Sequence, residues 1–247
     1  MTATTGHRRR RWTWLVAAVA AVLVAAVAVL VFAFRSVAAT TCPRCFGLVE
    51  LRSSLYTERG LPDADRQRLV QADADANQRV ADFYGGRRST PIVLACFTAG
   101  YYSRIGGGGE RGIAVLNRAV MLSPRGIDPV IAAHELSHVE FHERLGARRD
   151  QIPQWFDEGL AVLVANDPRY LLPSAAADRC RVVSGEQLPS SLGAWLQAAG
   201  ADEQLYAKAA CRVSRWVGAH GGGSRAVLDL IDRIDHGERF AAIVTGP

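Results

Sequence analysis

The sequence predicts an α+β domain behind one N-terminal transmembrane helix, and three observations carry that expectation. A run of 20 residues, Leu15 to Phe34, contains only Ala, Val, Leu and Phe. Two β-branched segments, Pro91 to Cys96 and Gly112 to Ser123, lie in the middle of the chain. Helical patterns stand before and after them, and strands grouped between runs of helices indicate segregated layers rather than alternating βαβ units.

As a helix rising about 1.5 Å per residue, the apolar run would cover the roughly 30 Å of bilayer hydrocarbon. Trp12 and Trp14 stand at its start as interfacial anchors, and Arg8 to Arg11 mark that end as cytoplasmic. The expectation is a cytoplasmic basic tail over 1–14, a transmembrane helix over 15–34, and an extracytoplasmic remainder in a single-pass cell-membrane protein. A cleaved signal peptide is the competing reading, with Ser36-Val37-Ala38 as small residues for a peptidase. Signal h-regions run only about 7 to 15 residues, so the anchor is preferred, and either reading exports the domain. A buried core helix would have to hide apolar surface on all sides beside an arginine cluster.

Charge narrows the partners. The chain has 29 basic and 24 acidic residues and a net charge of +5, and Arg8 to Arg11 with Arg35 account for all of that excess. Nucleic acid is therefore not expected as a partner, because a basic interface needs its charge on the folded part. A composition 49% hydrophobic and 21% charged belongs to a globular protein and excludes disordered and collagen-like classes.

Five cysteines, Cys42, Cys45, Cys96, Cys180 and Cys211, fit an oxidising setting, and the odd count leaves one thiol free or paired between chains. Cys42-Pro43-Arg44-Cys45 is a CxxC. Redox motifs of this type open a helix that follows a strand, whereas this one would follow a membrane span, so a structural role is preferred to a thiol oxidoreductase. Cys180 and Cys211 flank a helical stretch and can staple it, with the pairing left open.

Phe46 to Arg59 and Asp63 to Tyr84 read as helices that make 35–90 a juxtamembrane helical region. The second has Asp63 as its cap, Leu69, Val70, Val80 and Phe83 as an apolar stripe, and Gly85-Gly86 as its stop. Pro91 to Cys96 and Gly112 to Ser123 read as strands. The glycine-rich Arg104 to Glu110 between them lacks the following helix and the lysine that a phosphate loop requires, and reads as a mobile turn over a cleft. Asp128-Pro129 then pairs a capping side chain with proline at the first helical position, opening a helix that runs to about Leu145 and stops at Gly146. Another helix runs from near Pro153 to about Asn166. Leu192 to Ala199, Asp202 to Ala219 and Arg225 to Asp235 complete a helical C-terminal part, broken by Gly200 and Gly221 to Gly223.

His134-Glu135-Leu136-Ser137-His138 is an HExxH on the capped helix. Residues four apart share a face, so both imidazoles can reach one metal while Glu135 reaches a water on it. A catalytic zinc wants a third protein ligand and one open position. A metzincin would need Gly at 141 and His at 144, where this chain has Phe141 and Arg144.

Glu158 follows His138 after 19 residues, within Pro153-Gln154-Trp155-Phe156-Asp157-Glu158-Gly159-Leu160-Ala161. HExxH with this glutamate on the next helix resembles the gluzincin zinc metallopeptidases, and the W-x-x-E-G-x-A surroundings are most similar to their peptidase MA-like group. The resemblance covers roughly residues 90 to 240 and is strongest from Asp128 to Ala165. It implies a zincin-like metallopeptidase domain over 91–247 holding one Zn2+ on His134, His138 and Glu158, with Glu135 as general base on a zinc-bound water. It further implies a tyrosine on a later helix as oxyanion donor, for which Tyr206 is the candidate, and an edge strand before the HExxH helix, Ile113 to Leu122, that pairs with an extended peptide. His142 reads as a solvated or hydrogen-bonded histidine, or as support for a ligand. Asp157 either orients a ligand imidazole or caps its helix.

The expected function is thus a membrane-anchored zinc peptidase cleaving peptides or proteins outside the cytoplasm. The alternatives are a catalytically silent zincin fold that binds or scaffolds, and a CxxC thiol oxidoreductase. Substrate specificity and oligomeric state are not legible.

Overall fold

The computed structural model describes residues 33–245 apart from Ser184, together with Val16, Ala17, Val19, Ala20, Val22 and Val29. Most of the apolar run 15–34 lies outside the described residues, and among those described no helix is long and apolar enough to cross a membrane. This corrects the expected transmembrane helix and the single-pass membrane location that rested on it. The first continuous helix, α1 (Arg35–Thr41), has seven residues, about 10 Å of rise against the roughly 30 Å a span requires.

A disulfide between Cys42 and Cys45 closes a single 3-10 turn after α1. The expected helix over Phe46 to Arg59 is instead a hairpin of β1 (Val49–Arg52) and β2 (Leu55–Thr57). Burial alternates along it: Val49 and Leu51 are half-buried, Glu50 and Arg52 exposed, Leu55 and Thr57 buried. That is the period of two of a strand, and Ser54, at φ 63° in the left-handed region, turns the chain where a helix would have continued.

Helix α2 (Asp63–Tyr84) has Pro62 rather than Asp63 at its cap position. Asp63 and Asp65 fall in the first turn, where the helix dipole favours acids, and Gly85 ends the helix in the left-handed conformation at φ 69°. After β3 (Ile92–Ala95) and the short α3 (Ala99–Arg104), the single long strand expected over 112–123 resolves into β4 (Gly112–Val115) and β5 (Ala119–Leu122). Leu116 and Asn117 both have φ near +50°, the turn geometry whose twist matches a two-stranded hairpin. In the glycine-rich segment before β4, Glu110 accepts from the Tyr102 hydroxyl and from Gly108 N–H, each at 2.8 Å.

The five-stranded sheet runs β1-β2-β3-β5-β4, with β2, β3 and β5 parallel and β1 and β4 antiparallel at the two edges. Pairing of β2 with β3 places the expected juxtamembrane region and the residues after 91 in one sheet. Alternate side chains serve opposite faces, as the pleat requires. Val93, Ala95, Val120 and Leu122 join the main core, while Leu94 and Met121 join a smaller core with Leu48, Tyr102 and Ile105.

The longer elements that follow are helices: α4 (Pro129–Leu145), α5 (Gln154–Ala165), α6 (Leu192–Ala199), α7 (Leu205–Ala219), α8 (Gly223–Asp235) and α9 (Phe240–Thr245). The fold class is α+β with a small mixed sheet, and α5 is its central helix, buried continuously from Trp155 to Ala165. Its neighbours α4 and α7 carry the other candidate site residues. Between α5 and α7 the approach is backbone-close, because a Cβ on Gly159 would lie 2.5 Å from the Ala209 carbonyl oxygen.

A buried carboxylate fixes α4 to the chain before β3. Glu140 accepts from Arg88 N–H at 2.9 Å, from Ser89 N–H and hydroxyl at 2.9 and 2.7 Å, and from Arg144 Nε at 2.7 Å. Burial raises its pKa, but these donors more than offset that and hold it below the ordinary glutamate value.

Candidate metal centre

The HExxH segment is helical for a local reason. Asp128 Oδ1 accepts from Val130 and Ile131 N–H at 2.8 and 3.3 Å, and Pro129 occupies the first helical position, so α4 starts where the sequence places it. His134 and His138 therefore share a face, with their Nε2 atoms 3.2 Å apart. Helix α5 brings Glu158 against them: its Oε2 is 3.3 Å from His134 Nε2 and 3.7 Å from His138 Nε2.

These separations suit a cation. Ligand atoms held at about 2.0 to 2.2 Å from a tetrahedral ion are about 3.3 to 3.6 Å apart. Two imidazole nitrogens and a carboxylate oxygen also form a donor set typical of zinc and related divalent ions. His134, His138 and Glu158 thus make a group that can hold a metal ion.

The surroundings hold two of the three candidate ligands. His138 Nδ1 donates to Asp157 Oδ1 at 2.9 Å, which orients the ring so that Nε2 faces the cluster. Asp157 Oδ2 takes a second bond from His142 Nε2 at 2.9 Å. Asp157 thus orients a ligand imidazole, and His142 supports it rather than joining the cluster. Gln154 Nε2 donates to Glu158 Oε1 at 3.0 Å, leaving Oε2 turned inward. Burial would lower the His138 pKa, but Asp157, with smaller help from Glu158 and Glu135, pushes it up to about 10. The pocket is built to favour positive charge at this nitrogen, whether a proton or a metal supplies it.

Glu135 is buried beside the cluster and against the edge strand. Gly112 makes the approach possible: a Cβ there would stand 2.7 Å from Glu135 Cγ. Burial pushes the Glu135 carboxyl above the ordinary glutamate range, the two imidazoles oppose that, and Glu158 adds to it. Tyr206 on α7 has its ring centroid 6.3 Å from that of His134. Burial and then the Glu158 charge raise its pKa, so the phenol keeps its proton.

The structure therefore gathers His134, Glu135, His138 and Glu158 at one point and puts Tyr206 at its rim. Four neighbours escaped the sequence reading. Gly112 was legible as a glycine inside a strand, and Gln154 as a side chain one helical turn before Glu158. Tyr170 and Trp195, which flank Tyr206 at centroid distances of 5.4 and 5.2 Å, carry no sequence signal that ties them to the site, although Trp195 lies on an expected helix. Cys42 and Cys45 are joined to each other, and Cys180 to Cys211, as an oxidising setting allows. Cys96 is the remaining cysteine; it is buried, and burial followed by the Glu58 charge pushes its thiol up to about 12. Comparison with protein-family models, with curated proteins and with solved structures yields no match to this chain.

Proposed function

We propose that the protein is a zinc-dependent peptidase of gluzincin type. The observation that carries this reading is the convergence of His134 Nε2, His138 Nε2 and Glu158 Oε2 at tetrahedral spacing, with a buried glutamate between that point and an edge strand. The HExxH and the glutamate after 19 further residues add the resemblance already described.

Zinc bound there would supply Lewis acidity and make a water easier to ionise near neutral pH. Glu135 accepts the proton of the attacking water and returns it to the leaving nitrogen; its burial makes the carboxylate a stronger base than one in solvent. Tyr206, kept neutral, donates its hydroxyl proton in a hydrogen bond to the oxyanion that develops on the scissile carbonyl. Strand β4 is an antiparallel edge whose outer backbone groups can pair with an extended peptide. Exposed Ile113 on that strand offers the substrate an apolar contact.

The test is metal content set beside hydrolysis of a broad peptide library. Glu135→Gln is expected to retain one zinc per chain and lose hydrolysis, while His138→Ala loses the zinc. Full hydrolysis by Glu135→Gln would refute the mechanism. Zinc bound stoichiometrically by a wild-type protein that cleaves nothing would leave a binding module instead.

A further inference from the structure

The ring of Tyr206 is boxed by two side chains that the proposed chemistry does not use. Tyr170 lies against it at 5.4 Å between centroids with an interplanar angle of 21°, a stacked pair. Trp195 meets it edge-on at 5.2 Å and 87°. One wall covers a face and the other stands perpendicular to it, so rotation of the phenol about its Cβ is resisted in both senses. Trp195 is fully buried on α6 and needs no further fastening. Tyr170 belongs to the long connection between α5 and α6, where mobility is the ordinary expectation.

That connection is tied down next to Tyr170. Tyr170 and Leu171 N–H both donate to Asp167 carbonyl oxygen, at 3.2 and 3.1 Å. Leu171 then forms an antiparallel bridge with Cys180, Leu172 N–H donates to Arg179 carbonyl oxygen at 2.9 Å, and Arg181 Nε donates to Leu171 carbonyl oxygen at 3.0 Å. The short ribbon so formed is bonded covalently to α7, because Cys180 is joined to Cys211, which is buried on that helix. Tyr206 lies on the same helix, five residues before Cys211. A single sulfur bridge therefore couples the helix that carries Tyr206 to the ribbon that carries its stacking partner. The same connection also reaches α7 through the ion pairs of Asp178 with Arg215 and of Glu186 with Lys208, both at the surface and worth little, while Leu171 seats the ribbon in the main core.

We propose that Tyr170 is a positioning residue for Tyr206, and that the Cys180–Cys211 disulfide holds it in that role, so that full activity of the site requires the disulfide to be formed. This rests on the peptidase reading for its effect on rate but not for its geometry. A phenol that must meet an oxyanion at hydrogen-bond distance loses its effect when displaced by about 1 Å, which in catalytic sites costs on the order of 100-fold in rate. The ligands on α4 and α5 do not depend on the ribbon, so zinc binding is expected to survive its release.

The experiment places 3-fluorotyrosine at position 206 of the full chain and follows its 19F resonance in the zinc-loaded protein. Parallel samples carry Tyr170→Phe, Tyr170→Ala, or Cys180→Ser together with Cys211→Ser. A single resonance, kept by Tyr170→Phe but moved and broadened by Tyr170→Ala and by the serine pair at unchanged zinc stoichiometry, is the expected result. With natural tyrosine at 206, kcat should fall about 10- to 100-fold in the latter two at unchanged KM, and fall no further when Tyr206→Phe is already present. An unmoved resonance in either Tyr170→Ala or the serine pair overturns the proposal, as does a kcat loss that persists at full size in the Tyr206→Phe background. If wild-type protein hydrolyses no peptide, the peptidase reading fails while the resonance still decides the positioning role.

Discussion

Gly159→Ala tests the close packing of α5 on α7. Gly159 follows the ligand Glu158 on α5, and an added Cβ would lie 2.5 Å from Ala209 O, 2.7 Å from Ala209 C and 2.7 Å from Val213 Cγ2. Two of those three atoms are backbone of α7, which cannot rotate aside as a side chain would. Ordinary non-bonded contact begins near 3.5 Å, so the two helices must part by about 1 Å. Overpacking of that kind costs about 1 to 3 kcal/mol, and the backbone obstacle places this case in the upper part of the range. Replacing glycine by alanine in a helix returns about 1 kcal/mol, leaving a net loss of about 1 to 2 kcal/mol. For a domain of this size that is a fall in Tm of about 2 to 8 °C. Gly218→Ala supplies the control, since Gly218 is also helical, on α7, but a Cβ there meets nothing within 4 Å. Thermal unfolding by circular dichroism should show Gly159→Ala melting below wild type and Gly218→Ala at or above it. Equal melting of the two variants would refute the close approach of α5 and α7. Because the clash separates the helix of Glu158 from the helix of Tyr206, Gly159→Ala should also weaken zinc retention against a chelator.

Other consequences can be measured independently. Removing the carboxylate that orients His138 by Asp157→Ala should weaken zinc binding about 10- to 100-fold in a chelator competition, and an unchanged affinity would show that His138 needs no such support. Glu140→Gln removes a buried charge with several donors and should cost roughly 2 to 4 kcal/mol near pH 7 in urea unfolding. The pKa of Glu140 is lowered in the folded state, so its contribution is present above the unfolded glutamate value of about 4.3 and is lost as pH falls through the folded value. The stability gap between wild type and Glu140→Gln should therefore shrink below about pH 4, and a gap that does not change with pH would exclude a role for the charge. Cys180 and Cys211 are 31 residues apart, and replacing both by serine should lower stability by about 3 to 4 kcal/mol on the chain-entropy account, read as a shifted urea midpoint.

Legibility followed the range of the interaction. The candidate metal site was readable because its geometry is local: a helical period brings His134 and His138 together, Asp128-Pro129 announces the helix, and Glu158 falls on the next one. The supporting Asp157 was half readable, since a residue beside a ligand can face either way round its helix until packing decides. The hairpin at 49–57 was misread because Val49, Leu51 and Leu55 satisfy a loose helical spacing as well as a strand's, and Ser54 gave no warning of its positive φ. The turn at Leu116-Asn117 was hidden likewise, since leucine rarely adopts that conformation. Helix α9 went unseen because six residues are too few to show a period. The wall around Tyr206 was beyond reach, for Tyr170 and Trp195 meet it through tertiary packing alone.

The fifth cysteine bears on how the two disulfides survive. Exchange between sulfurs begins with a thiolate, and an ordinary thiol of pKa about 8.5 is ionised to a few per cent at pH 7. With its thiol pushed up to about 12, Cys96 in the folded protein is ionised to about one part in 10^5 at that pH. It is also enclosed in the smaller core, with Leu94 and Met121 on neighbouring strands. The native chain thus contains no internal nucleophile able to shuffle Cys42–Cys45 or Cys180–Cys211. Scrambling is confined to the interval before β3 is packed, when all five thiols are alike, so the odd cysteine endangers the maturing chain and is inert in the mature one.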